Sequence, residues 1–207
     1  MNSTRIIKNT HHLVESLLKA GIIHVDKRRV TYPVAVSWKN PKDEWSKLKT
    51  DGALKGCGLV ARGGVIRNKL GDVTWGFYDI YGTCSILEAE LKAVAIGLQL
   101  CWQKDVQKVW VEVDSSAAML LCNKQNKGPW DVQYILESIH QNVNKMEVQF
   151  SHIWREENKV ADWFANKGYT KNVSKWYKEL IYKVFVRGLI RMDKLGIASI
   201  RMMERTS

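Results

Sequence analysis

Glu90 is an acidic residue at a position that otherwise favours an apolar side chain. It follows Leu87 by three residues and precedes Val94 by four, in a segment whose apolar residues recur at helical spacing. A carboxylate on such a stripe loses hydration when the helix packs, and a nearby cation or hydrogen-bond donor can offset that loss. The pattern therefore predicts a cation beside Glu90.

Three further acids have ordinary structural interpretations when each is considered alone. Asp51 precedes Gly52 in a turn-forming pair, and Asp114 ends a strand-like segment where it could cap the next helix. Asp162 could be a solvated residue of a helix. Any chemistry that involves these acids depends on the elements that bring them together.

Alternating and helical periodicities predict those elements. An extended segment leads into Asp51, and strands at 59–67 and 73–81 follow it. Ser85 and Glu88 form a capping box before the helix that carries Glu90. The later predicted elements are a strand at 108–114, helices at 116–123 and 132–143, a strand at 147–154, and a helix at 158–167 with Gly168 as its C-cap.

This order, β-β-β-α-β-α-α-β-α, predicts an α/β protein with a five-stranded mixed sheet flanked by helices. We expect one domain at 45–170, preceded at 1–44 by a basic leader or linker with a short helix near 9–20. Residues 171–207 are predicted to form a helical basic extension. Its apolar residues at helical spacing are Trp176, Tyr177, Leu180, Ile181, Val184 and Phe185.

The net charge of +11 is concentrated at the two ends of the chain. Residues 1–50 hold ten Lys or Arg against four Asp or Glu, and residues 171–207 hold nine against three. The middle, 51–170, holds thirteen against fourteen. This distribution favours a polyanionic partner such as nucleic acid, although basic residues that serve only solubility would give the same pattern.

The cysteines and the hydropathy pattern bear on the compartment. Four cysteines, at 57, 84, 101 and 122, lack zinc-ligand spacing and are predicted to be reduced thiols. No apolar run reaches the roughly 20 residues of a membrane span, and a secretory signal pattern is missing. We expect an intracellular protein of the cytoplasm or nucleus, with no membrane partner; the basic leader leaves organelle targeting open.

Five stretches of the chain together resemble a known family. They read WSKLKTDGA at 45–53, GGVIR at 63–67, AELKAV at 89–94, VEVDS at 111–115 and SHIWREENKVAD at 151–162. In this order and over about 120 residues, they are similar to type 1 ribonucleases H. The likeness is strongest to the ribonuclease H-like domain of plant non-LTR retroelements.

The resemblance implies a set of functional residues. Asp51, Glu90, Asp114 and Asp162 would be the catalytic carboxylates that bind two Mg²⁺ ions, with Mn²⁺ as a possible replacement. His152 would assist proton transfer or product departure, although without the family's spacing it would be an ordinary strand-end histidine. The implied substrate-binding residues are Gly52, Ser115 and Asn158.

The implied function is hydrolysis of the RNA strand of RNA–DNA hybrids by a monomer that needs no small-molecule cofactor. One segment departs from the family: 54–64, LKGCGLVARGG, lacks the Asn and Pro that members commonly carry after the first Asp-Gly. Two alternatives therefore stay open. One is a binding module that has lost catalysis, and the other is a protein-interaction domain that uses a tryptophan-rich surface: Trp75, Trp154, Trp163 and Trp176.

Overall fold

The computed structural model describes residues 16, 19–20, 31–54, 58–171, 175–178 and 184–204. Over 46–171 the elements follow the predicted order, which is confirmed. The strands are β1 (Thr31–Val36), β2 (Ser46–Leu54), β3 (Leu59–Arg67), β4 (Val73–Thr83), β5 (Lys108–Val113), β6 (Glu147–His152), β7 (Lys175–Lys178) and β8 (Ser199–Glu204). The helices are α1 (Ile86–Gln103), α2 (Ser116–Cys122), α3 (Gln133–Val143), α4 (Lys159–Lys171) and α5 (Val184–Lys194), with 3₁₀ turns at Trp130–Val132 and Arg155–Glu157.

The main sheet is mixed, as predicted. In the described residues it has six strands in the order β6-β5-β2-β3-β4-β7, one more than the predicted five, because β7 pairs with the edge of β4. Strands β2, β3 and β4 form an antiparallel meander, and β4 also pairs antiparallel with β7. Strand β5 runs parallel to both β2 and β6. Because β2 and β5 are parallel, their C-terminal ends lie at the same edge of the sheet. Asp51, near the end of β2, and Asp114, directly after β5, are located there.

Helices α1, α2 and α3 pack on one face of this sheet. The Ser85 side chain caps α1 by accepting a hydrogen bond from the Glu88 N–H at 3.1 Å, as the capping box predicts. The buried apolar stripe of α1 lies against residues such as Leu48 and Val111 of the central strands. This packing excludes water from the sheet face and fixes where the N-terminal turn of α1 lies.

Helices α4 and α5 pack on the opposite face, around a second apolar cluster that includes Val65, Phe164 and Val186. The C-cap prediction for Gly168 is wrong, because α4 continues through it to Lys171. A Cβ at Gly168 would lie 3.0 Å from the Asp79 carbonyl oxygen, so the glycine serves the close approach of α4 to the sheet.

The two chain extensions form further sheet structure. Strands β1 and β8 pair antiparallel as a two-stranded ribbon, with Thr31 opposite Glu204. The helix prediction for Trp176 and Tyr177 is wrong, since β7 pairs these residues with β4. Backbone groups along the edge of β4 take precedence there over the local apolar spacing. Leu180 and Ile181 of the same spacing lie outside the described residues, and the described helix of this region is α5 at Val184–Lys194.

Some predictions concern residues that lie outside the described part of the chain. Only Ser16, Lys19 and Ala20 of the predicted 9–20 helix are described, and 55–57 of the departing segment are not. Cys84, Cys101 and Cys122 are free thiols, as predicted, whereas Cys57 falls outside. Among the described residues no helix combines the length and apolar character that crossing a bilayer requires.

Candidate metal centre

Three of the four predicted carboxylates meet at one edge of the sheet. Asp51, Glu90 and Asp114 each place a carboxylate oxygen within 4.8 Å of the other two. Asp51 lies near the C-terminal end of β2, Asp114 directly follows β5, and Glu90 lies in the first turns of α1. Residues separated by 63 positions along the chain thus form one anionic cluster, the carboxylate cluster.

Gly52 explains how Glu90 reaches Asp51. A Cβ at position 52 would lie 2.7 Å from the Glu90 backbone nitrogen and 2.9 Å from the Ala89 Cβ. Only glycine therefore allows the start of α1 to lie directly on β2. The Gly52 backbone also acts to lower the pKa of Glu90, against the raising effect of burial. Gly52 was predicted to bind substrate, which stays a prediction, and its position shows a structural function.

Gly63 has the same function on the other face. It is paired with Asp51 across β2 and β3, and a Cβ there would lie 2.3 Å from the Ala165 backbone nitrogen of α4. This close approach brings Asp162, which lies one turn before Asn166 on α4, towards the carboxylate cluster. Asp162 is outside the group that meets within 4.8 Å, but its charge acts on Asp51. Its Oδ1 accepts a hydrogen bond from the Asn166 side-chain amide at 3.1 Å.

The carboxylate cluster is poorly compensated by nearby positive charge. Burial, together with the charges of Asp114 and Asp162, raises the pKa of Asp51 to about 8. Burial and the charges of Asp51 and Asp114 raise the pKa of Glu90 to about 9. Burial also raises the pKa of Asp114, against the lowering effects of the Asn158 amide and Arg155. Each ionised carboxylate therefore disfavours ionisation of its neighbours.

Arg155 is a cation near the cluster that sequence reasoning did not single out. It lies in the 3₁₀ turn at Arg155–Glu157, and its charge lowers the pKa values of Asp51, Glu90 and Asp114. Its side chain is exposed, so solvent screens this effect. Its place within the matching stretch at 151–162 was the available signal.

His152 ends β6 beside Asp114. Its Nε2 lies 3.1 Å from the backbone oxygen of Asp114, and its ring meets the Trp154 ring edge to face at a centroid distance of 5.3 Å. The predicted neighbourhood of His152 and the carboxylates is therefore present. The imidazole is half-buried at the rim of the cluster, where a proton-transfer group could reach solvent.

The two remaining predicted residues occupy different positions. Asn158 is fully buried, and its amide donates to the Thr50 carbonyl oxygen at 3.0 Å, next to Asp51. The Ser115 hydroxyl accepts a hydrogen bond from the Ala118 N–H at 3.2 Å and so caps α2. Ser115 thus has a structural function beside Asp114, whatever contact it makes with substrate.

The donor set fits a hard divalent cation. All three clustered side chains offer carboxylate oxygens, which suit Mg²⁺ or Mn²⁺ rather than zinc. The buried Oε2 of Glu90 has no hydrogen-bond partner among the described residues, so this oxygen is free to bind an ion. A divalent cation would also remove the repulsion that raises these pKa values.

The fold and the carboxylate site together define the class, which is a ribonuclease H-like protein. The RNase H1 of Halobacterium salinarum is 19% identical with a TM-score of 0.58, over 61% of this chain and 98% of its own. LC11-RNase H1, solved in complex with an RNA/DNA hybrid, is 23% identical with a TM-score of 0.55, over 59% of this chain and 94% of its own. At these identities the likeness establishes the fold.

The family follows from the sequence match. The model of the reverse transcriptase-like family matches residues 49–168, and the chain belongs to this family within the ribonucleases H. A protein of Arabidopsis thaliana, provisionally named a ribonuclease H protein, is 32% identical over 163 residues. That match covers 78% of this chain and 26% of the relative, so the chain spans about a quarter of the relative's length.

Proposed function

We propose that this chain is a metal-dependent, type 1 ribonuclease H of retroelement origin that hydrolyses the RNA strand of RNA–DNA hybrids. The observation that carries the proposal is the meeting of Asp51, Glu90 and Asp114 within 4.8 Å on a ribonuclease H-like fold. The sequence match to the Arabidopsis ribonuclease H protein and the hybrid-bound state of LC11-RNase H1 support the substrate class.

Asp51, Glu90, Asp114 and Asp162 would hold two Mg²⁺ ions. Bound there, the ions would lower the pKa of an attacking water and stabilise the charge on the leaving oxygen. Asp51 has the central place in this arrangement, since the charges of both Asp114 and Asp162 act on it. Mn²⁺ would substitute for Mg²⁺, because both prefer oxygen donors.

The other residues around the cluster would bind, orient and exchange protons. Arg155 places a positive charge beside the carboxylates, where it would attract a phosphate of the backbone. His152, at the rim, would take up or deliver a proton as product leaves. Asn158 holds the end of β2 against the start of α4 through the Thr50 carbonyl oxygen, which keeps Asp51 in place.

A groove between α2 and α3 offers a surface along which the hybrid would extend. Its lining includes Lys124, Lys127 and Trp130, whose side chain is 88% exposed. Tyr134, also in the lining, donates a hydrogen bond from its hydroxyl to Glu88 at 2.9 Å, two residues before Glu90. This hydrogen bond joins the groove wall to the N-terminal turn of α1. Basic and aromatic side chains of this kind bind a nucleic-acid backbone with little sequence preference.

We further propose that the protein acts as a monomer in the cytoplasm or nucleus. The free thiols of Cys84, Cys101 and Cys122 suit a reducing compartment.

The test is cleavage of a hybrid that carries a label on the RNA strand, with Mg²⁺ and with EDTA. Asp51→Asn and Asp114→Asn should each lower the rate by about a thousandfold, since several kcal/mol of metal-mediated stabilisation would be lost. Glu147→Gln is the matched control, because Glu147 is an exposed acid at the start of β6 and should leave the rate unchanged.

The outcomes separate the alternatives. Metal-dependent cutting that both substitutions abolish supports the nuclease. Hybrid binding without cutting by the unmodified protein would favour a non-catalytic binding module. Failure to bind hybrid at low salt would favour a protein-interaction domain.

A further inference from the structure

Arg201, in the C-terminal strand β8, contacts the segment that follows His152. Its guanidinium carbon lies 4.0 Å from the centre of the Trp154 ring, the geometry of a cation–π contact. The same guanidinium donates to both carboxylate oxygens of Glu156, at 3.1 and 2.9 Å. Arg201 therefore binds two residues of the 152–158 segment at once.

Trp154 in turn contacts His152. Its indole meets the His152 imidazole edge to face, with an interplanar angle of 90° and a centroid distance of 5.3 Å. The indole thus contacts both the guanidinium of Arg201 and the imidazole of His152. The imidazole Nε2 also lies 3.1 Å from the Asp114 backbone oxygen. We call these three groups, which contact one another in that order and end at the carboxylate cluster, the Arg201–Trp154–His152 stack.

We propose that Arg201 is a positioning residue for His152, so that a strand outside the family-matched region sets the geometry of the site. The proposal rests on the proposed function, in which His152 assists the reaction. It assigns to the β1–β8 ribbon a function in catalysis, although residues 199–204 lie beyond the matched residues 49–168.

The physical reason lies in how the Trp154 side chain is held: among the described residues its indole has two ring contacts, with the Arg201 guanidinium and with the His152 imidazole. The backbone N–H of Trp154 donates to Glu157 Oε2 at 3.1 Å, which fixes the backbone of the turn and does not set the rotamer of the indole. The indole is only half-buried. A guanidinium stacked on its face and paired with Glu156 selects one rotamer, because rotation would lose the cation–π contact. That rotamer keeps the indole in edge-to-face contact with the His152 ring.

Strand β8 offers a matched control. The Ser199 hydroxyl accepts a hydrogen bond from Lys159 Nζ at 2.8 Å and so ties the same strand to the start of α4. Ser199→Ala removes this contact and leaves the Arg201–Trp154–His152 stack intact. Arg201→Gln removes the charge and the cation–π contact and leaves a shorter, neutral polar side chain.

The first readout is kinetic, on hybrid cleavage with Mg²⁺. Arg201→Gln should lower kcat by about tenfold with KM within about twofold, as expected when a group that assists the reaction is misplaced. Arg201→Lys, which keeps a cation over the indole, should recover most of that loss. In a His152→Ala background, Arg201→Gln should have no further effect, since the two residues then act as one unit.

The second readout does not depend on activity. Because the two rings are in edge-to-face contact, we expect the ring current of Trp154 to displace the His152 ring-proton signals in the NMR spectrum. Arg201→Gln should then shift these signals towards their values in Trp154→Ala. Ser199→Ala should leave them unchanged. This measurement also separates the two proposals, because an inactive protein whose His152 signals respond to Arg201→Gln would refute the nuclease and keep the positioning.

Two results would overturn the proposal. One is a set of His152 signals that Arg201→Gln leaves in place. The other is a loss of kcat in the His152→Ala background equal to the loss in the unmodified protein. Either would show that Arg201 acts on the fold alone. If Arg201→Gln fails to fold, the His152 signals are followed in two other variants. Glu156→Gln should weaken the stack and shift the signals, and Arg201→Lys should keep the stack and leave the signals in place.

Discussion

The central strands β2 and β5 carry two neighbouring sets of buried charges, and the two sets differ in how their charges are compensated. At the C-terminal end, Asp51 and Asp114 are of like charge and lie beside Glu90. Two residues earlier on each strand, Lys49 and Glu112 are of opposite charge, with Lys49 Nζ 3.6 Å from Glu112 Oε2. The same pair of strands thus holds an anionic site and an internal ion pair.

Aromatic and basic side chains surround this ion pair. Lys47 also pairs with Glu112, and its Nζ lies 4.1 Å from the centre of the Trp110 ring. The Arg67 guanidinium lies 4.5 Å from the Trp38 ring and 2.8 Å from Asp193 of α5. A protein can therefore bury charge stably where partners are supplied from within the chain. The carboxylate cluster lacks such partners, which is the condition for binding a cation.

The largest effect is expected from breaking the ion pairs of Glu112 with Lys47 and Lys49. Glu112→Gln should lower the free energy of unfolding by about 3 kcal/mol, because it leaves buried lysines without their anion. In metal-free buffer, Asp51→Asn should not lower the free energy of unfolding, because the substitution removes the repulsion between Asp51 and the neighbouring carboxylates. Urea unfolding of both variants measures the contrast, and Glu147→Gln, an exposed acid, should change stability by less than about 0.5 kcal/mol. A loss in Asp51→Asn as large as in Glu112→Gln would contradict the comparison.

The next effect concerns the close approach of α1 to β2, which brings Glu90 to Asp51. Gly52→Ala should cost about 2 kcal/mol and weaken Mg²⁺ binding, because the new Cβ would meet the α1 backbone at 2.7 Å. Thermal unfolding and Mg²⁺ titration by calorimetry measure both consequences. Gly82→Ala is the control, since nothing lies within 4 Å of a Cβ there. Normal Mg²⁺ affinity in Gly52→Ala would show that the approach is dispensable.

A smaller effect links pH to the metal. The pKa values of Asp51 and Glu90 are raised to about 8 and 9, whereas carboxylates in the unfolded chain titrate near 4. The folded protein therefore binds more protons between these values, and its metal-free stability should fall as pH rises from about 4 to about 9.

Mg²⁺ needs the ionised carboxylates, so its stabilising effect should grow over the same pH range. At a concentration ten times the dissociation constant it should reach about 1.4 kcal/mol. Melting temperatures with and without Mg²⁺ at pH 6 and pH 9 test this. Asp51→Asn should reduce the pH dependence of the metal-free stability and also that of the Mg²⁺ effect. A Mg²⁺ stabilisation that is equal at the two pH values would contradict the predicted link between carboxylate ionisation and metal binding.

The smallest effect concerns the groove between α2 and α3. Lys127→Ala should weaken hybrid binding a few-fold and reduce the slope of log affinity against log salt by about one, as for the loss of one phosphate contact. Fluorescence anisotropy over a salt series measures it. Lys145, an exposed lysine beyond the C-terminal end of α3, supplies the control Lys145→Ala. Equal slopes for the two variants would place the hybrid elsewhere.

The order of elements from β2 to α4 was predictable because it depends on local periodicity. The capping box at Ser85 and the burial of Glu90 follow from residues within one or two turns. The resemblance added the acids that converge, and it placed Asp162 among them. The structure brings three of the four together and leaves Asp162 just outside that group.

Features that depend on distant contacts were not predictable. Gly52 and Gly63 resemble turn glycines in the sequence, and only the positions of α1 and α4 show that they permit close approach. Gly168 was misassigned as a C-cap for the same reason. Tyr177 is on a strand because β4 offers it an edge. The contact of Arg201 with Trp154 joins residues 47 positions apart and leaves no local pattern.

The amino-acid sequence by itself determined the type of chemistry and the series of secondary structures, since side-chain ionisation and backbone periodicity are properties of short segments. The tertiary structure alone decided which charges lack partners, because compensation depends on distances between residues far apart in the chain. Lys49 and Asp51 are two residues apart on β2, yet the first has Glu112 as its partner and the second lies among other carboxylates.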